Sequence, residues 1–243
     1  MNDIILRGEY GSRAYGTHTD LSDHDTVEVV VEHPKFITGL ETFETFQDST
    51  SGPGERSTKD DTDTTVYGLQ KFAQLAVLGN PTILGVLYLP EYDVMTRKGG
   101  WLLVNRDLFI SKSAGRRFSG YMQSQRDAMT GLRNKRTNRP ELVHEHGYDS
   151  KFAYHMIRLG LLGKELMETG SIELPMKKEI IDICMEIRAG RMTKDEVLEL
   201  SYELESDLES AIHAADLPDY GQRDKVSELL HDIYTHVWEN GID

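Results

Sequence analysis

Gly11-Ser12-Arg13-Ala14-Tyr15-Gly16, followed by Ser22-Asp23-His24-Asp25, is the stretch from which the rest of the chain can be read. The apolar run Ile4-Ile5-Leu6 leads in, and Val27 to Val31, interrupted by Glu28, leads out. This order predicts a strand, a tight glycine turn opening a helix, and a second strand bearing two carboxylates. Asp23 and Asp25 are two residues apart, so on a strand both side chains leave the same face. A Gly-Ser turn at a helix start offers backbone N–H groups that suit phosphate. Phosphate donors beside paired carboxylates imply a place for a metal–nucleotide complex.

Downstream, Glu41 to Asp48 predicts a third strand, and Ser49 to Asp61, with Ser51-Gly52-Pro53-Gly54 inside it, a loop. The β-branched run Asp61 to Tyr67 resumes strand character. Leu69 to Leu78 is a helix stopped by Gly79-Asn80, and Pro81 opens a second, apolar one from Thr82 to Leu89. Gly99-Gly100 reads as a connection. From about Ser111 the pattern is helical: 111–134 carries Phe118, Tyr121, Met122, Gln125 and Met129 at helical spacing. Thr137 to Asp149 reads as a polar loop that leaves His144-Glu145-His146 exposed to solvent, and Lys151 to Thr169 as an amphipathic helix ending at Gly170. Thr193-Lys194-Asp195-Glu196 is a capping box that starts a helix to about Ala214. A final stripe, Val226 to Trp238, reads as packing. The expected fold class is α/β (α+β): a mixed sheet with flanking helices over residues 1–110, then a helical domain over 111–243. A site is expected in the cleft between them.

The chain carries a net charge of −14, which disfavours strong non-specific nucleic-acid binding. Yet Lys112, Arg116, Arg117, Arg126, Arg133, Lys135, Arg136 and Arg139 face one acid, Asp127, so this segment holds +7 and the remainder −21. Such a concentration implies an anion held at one place. The single cysteine, Cys184, excludes an internal disulfide framework and lies in an apolar run that predicts a buried, inert thiol. No charged n-region opens the chain, and the uncharged stretch 72–90 is broken by Asn80-Pro81, so a cytoplasmic protein without a membrane span is expected.

Two-metal phosphoryl chemistry needs carboxylates clustered around divalent ions. Asp23 and Asp25 supply two, which would repel by about 4 kcal/mol at 4 Å with an effective dielectric near 20 unless a cation lay between them. A third should come from a neighbouring strand; Asp63 is the first choice and Asp61, of the same parity, the second.

These residues resemble the polymerase-beta-type nucleotidyltransferase signature: Gly11-Ser12, an eleven-residue step from Ser12 to Asp23, Asp-x-Asp, and a later strand aspartate. The resemblance is closer to the predicted nucleotidyltransferases of bacteria and bacteriophages that include an RNA-repair-associated group. Asn80-Pro81, Arg116 to Tyr121 with Gln125, Tyr148-Asp149-Ser150-Lys151 with His155 and Arg158, and Arg188-Ala189-Gly190 extend it over roughly residues 5–215. It implies the minimal nucleotidyltransferase sheet, with Asp23, Asp25 and Asp63 as catalytic metal ligands for Mg2+ (or Mn2+) and Asp63 on the side of the attacking hydroxyl. It further implies that Gly11 and Ser12 contact an NTP, that Arg116, Arg117, Lys151 and Arg158 contact triphosphate or acceptor, and that Tyr121, Gln125 and His155 read base or sugar. The chain departs from the pattern at three places. His24 replaces an apolar or aromatic residue, Thr26-Val27-Glu28 a more typical Arg-Gly pair, and Gly85 a glutamate after the Asn-Pro.

The activity so implied is transfer of a nucleoside monophosphate from an NTP to a hydroxyl, with pyrophosphate release. The acceptor is an RNA or DNA end, a protein side chain or a small molecule. The alternative is a catalytically silent nucleotide- or partner-binding module on the same fold.

Overall fold

The computed structural model describes residues 3–52, 58–132 and 139–241. The predicted loop residues Pro53 and Gly54, and Arg133, Lys135 and Arg136 of the basic segment, lie outside them. The chain divides into two compact units, Met1–Phe109 with Gly221–Asp243, and Ile110–Tyr220.

The first unit is built on a five-stranded mixed sheet in the order β3-β4-β2-β1-β5. Its strands are β1 (Asp3–Glu9), β2 (His24–Val31), β3 (Thr45–Ser49), β4 (Thr62–Gly68) and β5 (Val94–Met95). β1 runs antiparallel to β2 and β5, β3 antiparallel to β4, and β2 parallel to β4. The parallel pair needs a crossover; α2 (Pro34–Thr38) and β3 lie in it. Val27, Val29, Val30 and Val31 are buried, as expected for a central strand covered on both faces.

Helices α1 (Gly11–Tyr15), α3 (Leu69–Val77), α4 (Pro81–Val86), α5 (Arg97–Val104) and the C-terminal helix of the chain, Arg223–Asn240, complete this unit. Asn80 caps α4, its side chain accepting from the Thr82 and Ile83 amides, with Pro81 in the first turn. Gly99-Gly100 is not a connection but lies inside α5. Thr96 caps that helix, and a Cβ on Gly99 would come within 2.1 Å of the Ile5 carbonyl, so the glycine lets the helix lie directly on β1. The C-terminal helix is fixed by one buried carboxylate. Glu32, 1% exposed, accepts from the Tyr234 hydroxyl at 2.5 Å and from the Leu69 and Gln70 amides, while Trp238 donates to the Glu32 carbonyl. Burial pushes the Glu32 carboxyl above its usual range despite these donors.

The second unit consists of α6 (Lys112–Thr130), α7 (Pro140–His146), α8 (Ser150–Thr169), α9 (Lys178–Arg188) and α10 (Lys194–Ala214); the C-terminal helix of the first unit is α11. Gly160 of α8 receives Met122, Gly163 receives Phe118, and Gly115 receives Met167, so α6 and α8 pack antiparallel. Leu204 and Leu208 of α10 close on the same α8 glycines. Buried Arg126 ties α6 to α10, donating to Glu205 at 2.6 Å and to Ser201. The predicted polar loop before α8 contains a helix, α7. It has proline at its first position, Glu141 in its first turn and Gly147 at φ 79° as its stop, all favourable helix signals. The capping box at Thr193 and Glu196 forms as its sequence indicates. Among the described residues no helix is long and apolar enough to cross a membrane.

Candidate active site

The turn after β1 is held by glycine geometry. Gly11 has φ +63°, and a Cβ there would lie 1.9 Å from Asp25 Oδ2. Only glycine satisfies both the left-handed backbone and the carboxylate against it. The Tyr10 amide donates to the Asp25 carbonyl at 2.7 Å, and Thr17 to the Ser12 carbonyl at 2.8 Å, so turn and strand start are one assembly. Arg13 reaches across from α1, donating to the carbonyls of Asp23 (3.3 Å) and Ser22 (3.2 Å). This arginine fixes the backbone that carries the aspartates, a role the sequence motif did not reveal.

Asp25 stands in register with Asp63 on the neighbouring parallel strand. Register partners in a sheet share a face and lie about 4.8 Å apart at the backbone, so the two carboxylates are neighbours. Asp23 precedes β2 with the parity of Asp25. Asp61, the second choice for the third ligand, does other work: it accepts from the Thr58 amide and hydroxyl and from the Thr50 hydroxyl. Those donors, the Thr58 amide foremost, hold its carboxyl below the usual range. It ties together the loop between β3 and β4.

The opposite face of β2 explains two departures from the motif. Glu28 pairs with Arg7, its register partner on β1, and His24 Nδ1 lies 2.5 Å from Glu9, which also pairs with Arg13. Gly85 lies beside the turn itself: a Cβ there would meet the hydroxyls of Tyr10 at 3.0 Å and Tyr15 at 3.3 Å, which are hydrogen-bonded to each other.

In the second unit, Arg116, Arg117 and Tyr121 come together on the exposed face of α6, where with Gly120 and Ser124 they line a cavity of about 480 Å³. Arg116 also donates to the Asp219 carbonyl at 3.0 Å. Gln125 follows on the same helix, partly buried. Lys151, His155 and Arg158 form a separate set on α8, at i, i+4 and i+7 along one face. Arg158 Nη2 lies 3.3 Å from His155 Nδ1. Burial, then the charges of Arg158, Lys151, Arg139 and Arg188, push the imidazole well below its usual range. Arg139 belongs to the basic segment and Arg188 to the Arg188-Ala189-Gly190 motif; their charges act on His155 from outside α8. Asp149 caps α8 and pairs with Arg139 at 3.1 Å. His146 packs its ring on Gly190. Cys184 is fully buried, and burial raises its thiol to about 12, consistent with an inert residue.

Among the described residues no group of three or more His, Cys, Asp or Glu side chains is arranged to hold a metal ion. What the strands bring together is a pair, Asp25 and Asp63. Two carboxylates suit Mg2+, which is commonly held by one or two carboxylates plus substrate phosphates and waters.

Comparison with known proteins bears on what such a site serves. A 125-residue part of the chain, 50% of its length, is 29% identical to the uncharacterized 38.9 kDa protein in the nrdC-mobD intergenic region of Enterobacteria phage T4, and spans 37% of that protein. No solved structure matches. The profile of RlaP, the RNA repair pathway DNA polymerase beta family, matches residues 2–233. That match covers nearly the whole chain, and the chain belongs to the RNA repair pathway DNA polymerase beta family.

Proposed function

We propose that the protein is a metal-dependent nucleotidyltransferase that moves a nucleoside monophosphate from an NTP to an acceptor hydroxyl, releasing pyrophosphate. The observation that carries this reading is the in-register pair Asp25 and Asp63 beside the Gly11 turn. Asp25 and Asp63 would hold Mg2+ (or Mn2+), with Asp23 as the third carboxylate. The ion, when bound, supplies a Lewis acid for the phosphoryl oxygens.

The chain's own residues have distinct tasks. Gly11 and Ser12 offer amides to the triphosphate. Asp63 accepts the proton of the attacking hydroxyl or orients it. Arg116 and Arg117 supply positive charge on an open helix face, and Tyr121 a ring on which a base can stack. Lys151, His155 and Arg158 contact the triphosphate or the acceptor. Phosphoryl transfer of this kind is accelerated chiefly by positioning and by fixed charge, and this site offers both without a covalent nucleophile. An RNA or DNA end fits the family's description; a protein side chain or small molecule is the other class of acceptor.

One observation favours the alternative, a nucleotide- or partner-binding module without turnover: the described residues hold no three-ligand metal set. Incubation with each labelled NTP, Mg2+ or Mn2+, and a panel of acceptors separates the two. Pyrophosphate release that vanishes in Asp23→Ala and Asp63→Ala supports the enzyme. Tight NTP binding with no release against any acceptor overturns it.

A further inference from the structure

The row of side chains that contains the carboxylate pair does not end at Asp63. Ser49 of β3 stands in register with Asp63, as Asp63 does with Asp25, so three strands contribute one line of side chains to one face. The Gly68 amide donates to the Glu44 carbonyl and the Thr50 amide to the Thr62 carbonyl, which makes the even-numbered residues the ones through which β3 bonds to β4. Ser49 and Asp63 are therefore a non-hydrogen-bonded pair, the kind whose side chains lie closest, about 4.5 Å apart at Cα. Gln47, opposite Thr65, follows on the same face, while Phe46 and Asp48 point to the other.

The line has a direction. The Gly11 turn, which follows β1, stands against Asp25 at one end. Asp63 is next, and Ser49 ends the line on the edge strand, about 10 Å from Asp25 across two strand spacings. In an in-line displacement the attacking and leaving oxygens lie on opposite sides of phosphorus. With the triphosphate on the Gly11 turn, pyrophosphate leaves on that side and the attacking hydroxyl enters past Asp63, from β3. Its oxygen bonds to the α-phosphorus, the bond from that phosphorus to the pyrophosphate oxygen breaks with the electron pair going to pyrophosphate, and the hydroxyl proton goes to Asp63. β3 is exposed along its whole length, so the approach is open. On this face it shows neutral hydrogen-bonding groups: the Ser49 hydroxyl, which accepts from the Ser51 amide at 3.2 Å, and the Gln47 amide. Both can donate and accept, as the hydroxyls of a sugar require, and neither is the cation that a phosphate would call for.

We propose that Ser49 and Gln47 form the acceptor subsite and bind the sugar that carries the attacking hydroxyl, through the hydroxyl next to it. This deepens, and rests on, the nucleotidyltransferase reading. The sugar belongs either to the end of a strand or to a free nucleoside.

The test is the steady-state kinetics of pyrophosphate release from an NTP with Mg2+. Four acceptors are compared: an oligoribonucleotide with a free 3′-hydroxyl, its twin lacking the terminal 2′-hydroxyl, a nucleoside, and a serine-containing peptide. Ser49→Val and Gln47→Leu are each expected to raise the KM for the oligoribonucleotide or nucleoside at least about tenfold, with the KM for NTP held within about twofold. Ser49→Thr, which keeps the hydroxyl, should retain most of the native value, and Asp48→Asn, on the opposite face, should change neither constant. The 2′-deoxy twin should be a poorer acceptor for the native chain but lose little more in the Ser49→Val, Gln47→Leu double variant. An acceptor KM unmoved in both single variants, a rise in the NTP KM in its place, or transfer to the peptide alone overturns the subsite and leaves the enzyme standing. No release by the native chain with any acceptor sinks the nucleotidyltransferase itself, and the subsite with it. A lower KM for the oligoribonucleotide than for the nucleoside identifies a strand end; equal values identify the free nucleoside.

Discussion

Gly11→Ala probes the turn and the carboxylate together. Two separate costs follow from the geometry. A left-handed φ of +63° costs an L-residue about 1–2 kcal/mol. The new methyl would also stand 1.9 Å from Asp25 Oδ2, forcing that side chain off its rotamer at about 0.5–1.5 kcal/mol. The single variant should therefore lose about 1.5–3.5 kcal/mol. In an Asp25→Ala background the second cost disappears and only about 1–2 kcal/mol remains, leaving a coupling of about 0.5–1.5 kcal/mol in the double-mutant cycle. Both tryptophans, Trp101 and Trp238, lie in the first unit, so urea unfolding followed by tryptophan fluorescence reports on it directly. Equal losses in the two backgrounds would refute the contact between Gly11 and Asp25; no loss in either would refute the left-handed turn. The same variant should abolish NTP-dependent pyrophosphate release, since it displaces one carboxylate of the pair.

Tyr234→Phe removes a donor from the buried Glu32 carboxylate and should cost about 1.5–3 kcal/mol by urea unfolding. Glu32 has a carboxyl raised by burial, so the native state takes up its proton at a pH where the unfolded chain stays ionised. That contribution is complete below about pH 4.5 and fades as pH rises through the folded value. Compared with Glu32→Gln, the native chain should accordingly gain stability as pH falls from 7 towards 4.5, and parallel pH curves would refute this. Gly120→Ala, with nothing within 4 Å of the new methyl, should stabilise α6 by about 0.5–1 kcal/mol yet weaken nucleotide binding by calorimetry, because Gly120 lines the α6 cavity. Gly163→Ala meets Phe118 Cβ at 2.7 Å and should destabilise by about 1–3 kcal/mol in thermal unfolding despite the better helix propensity.

The strands, the glycine turn and the placing of Asp63 on the strand beside Asp25 were legible because each follows from a local pattern: alternation, a Gly-Ser turn, a β-branched run. Caps were legible for the same reason, as the Thr193 box and Asn80-Pro81 illustrate. What escaped depends on contacts between distant segments. Gly99-Gly100 looks like a break until Ile5 is seen beneath it, since the close approach that needs glycine is a property of β1 as much as of α5. The helix α7 is short and polar, and its favourable ends were outweighed in the sequence by its charge and its histidines. Arg13 has no evident role inside the turn, and only the return of the chain at Ser22 and Asp23 gives its guanidinium an object.

The three departures from the family pattern separate once the faces of β2 are assigned. Residues 24 and 28 share a parity, and both side chains point to the face where β1 presents Arg7 and Glu9. His24 answers Glu9 and Glu28 answers Arg7, so these substitutions are matched within the sheet and concern the β1–β2 pairing. Asp25 and its register partner Asp63 lie on the other face. Gly85 is different in kind. It stands against the Tyr10 and Tyr15 hydroxyls, on either side of Gly11-Ser12, where a larger side chain would have to displace that pair. Where the resemblance implies a glutamate, this chain has no side chain, and two phenol groups fill the space beside the Gly11 turn. Of the three departures Gly85 is therefore the one to vary first when substrate choice is tested, since Gly85→Ala brings a methyl to 3.0 Å from the Tyr10 hydroxyl beside the Gly11 turn.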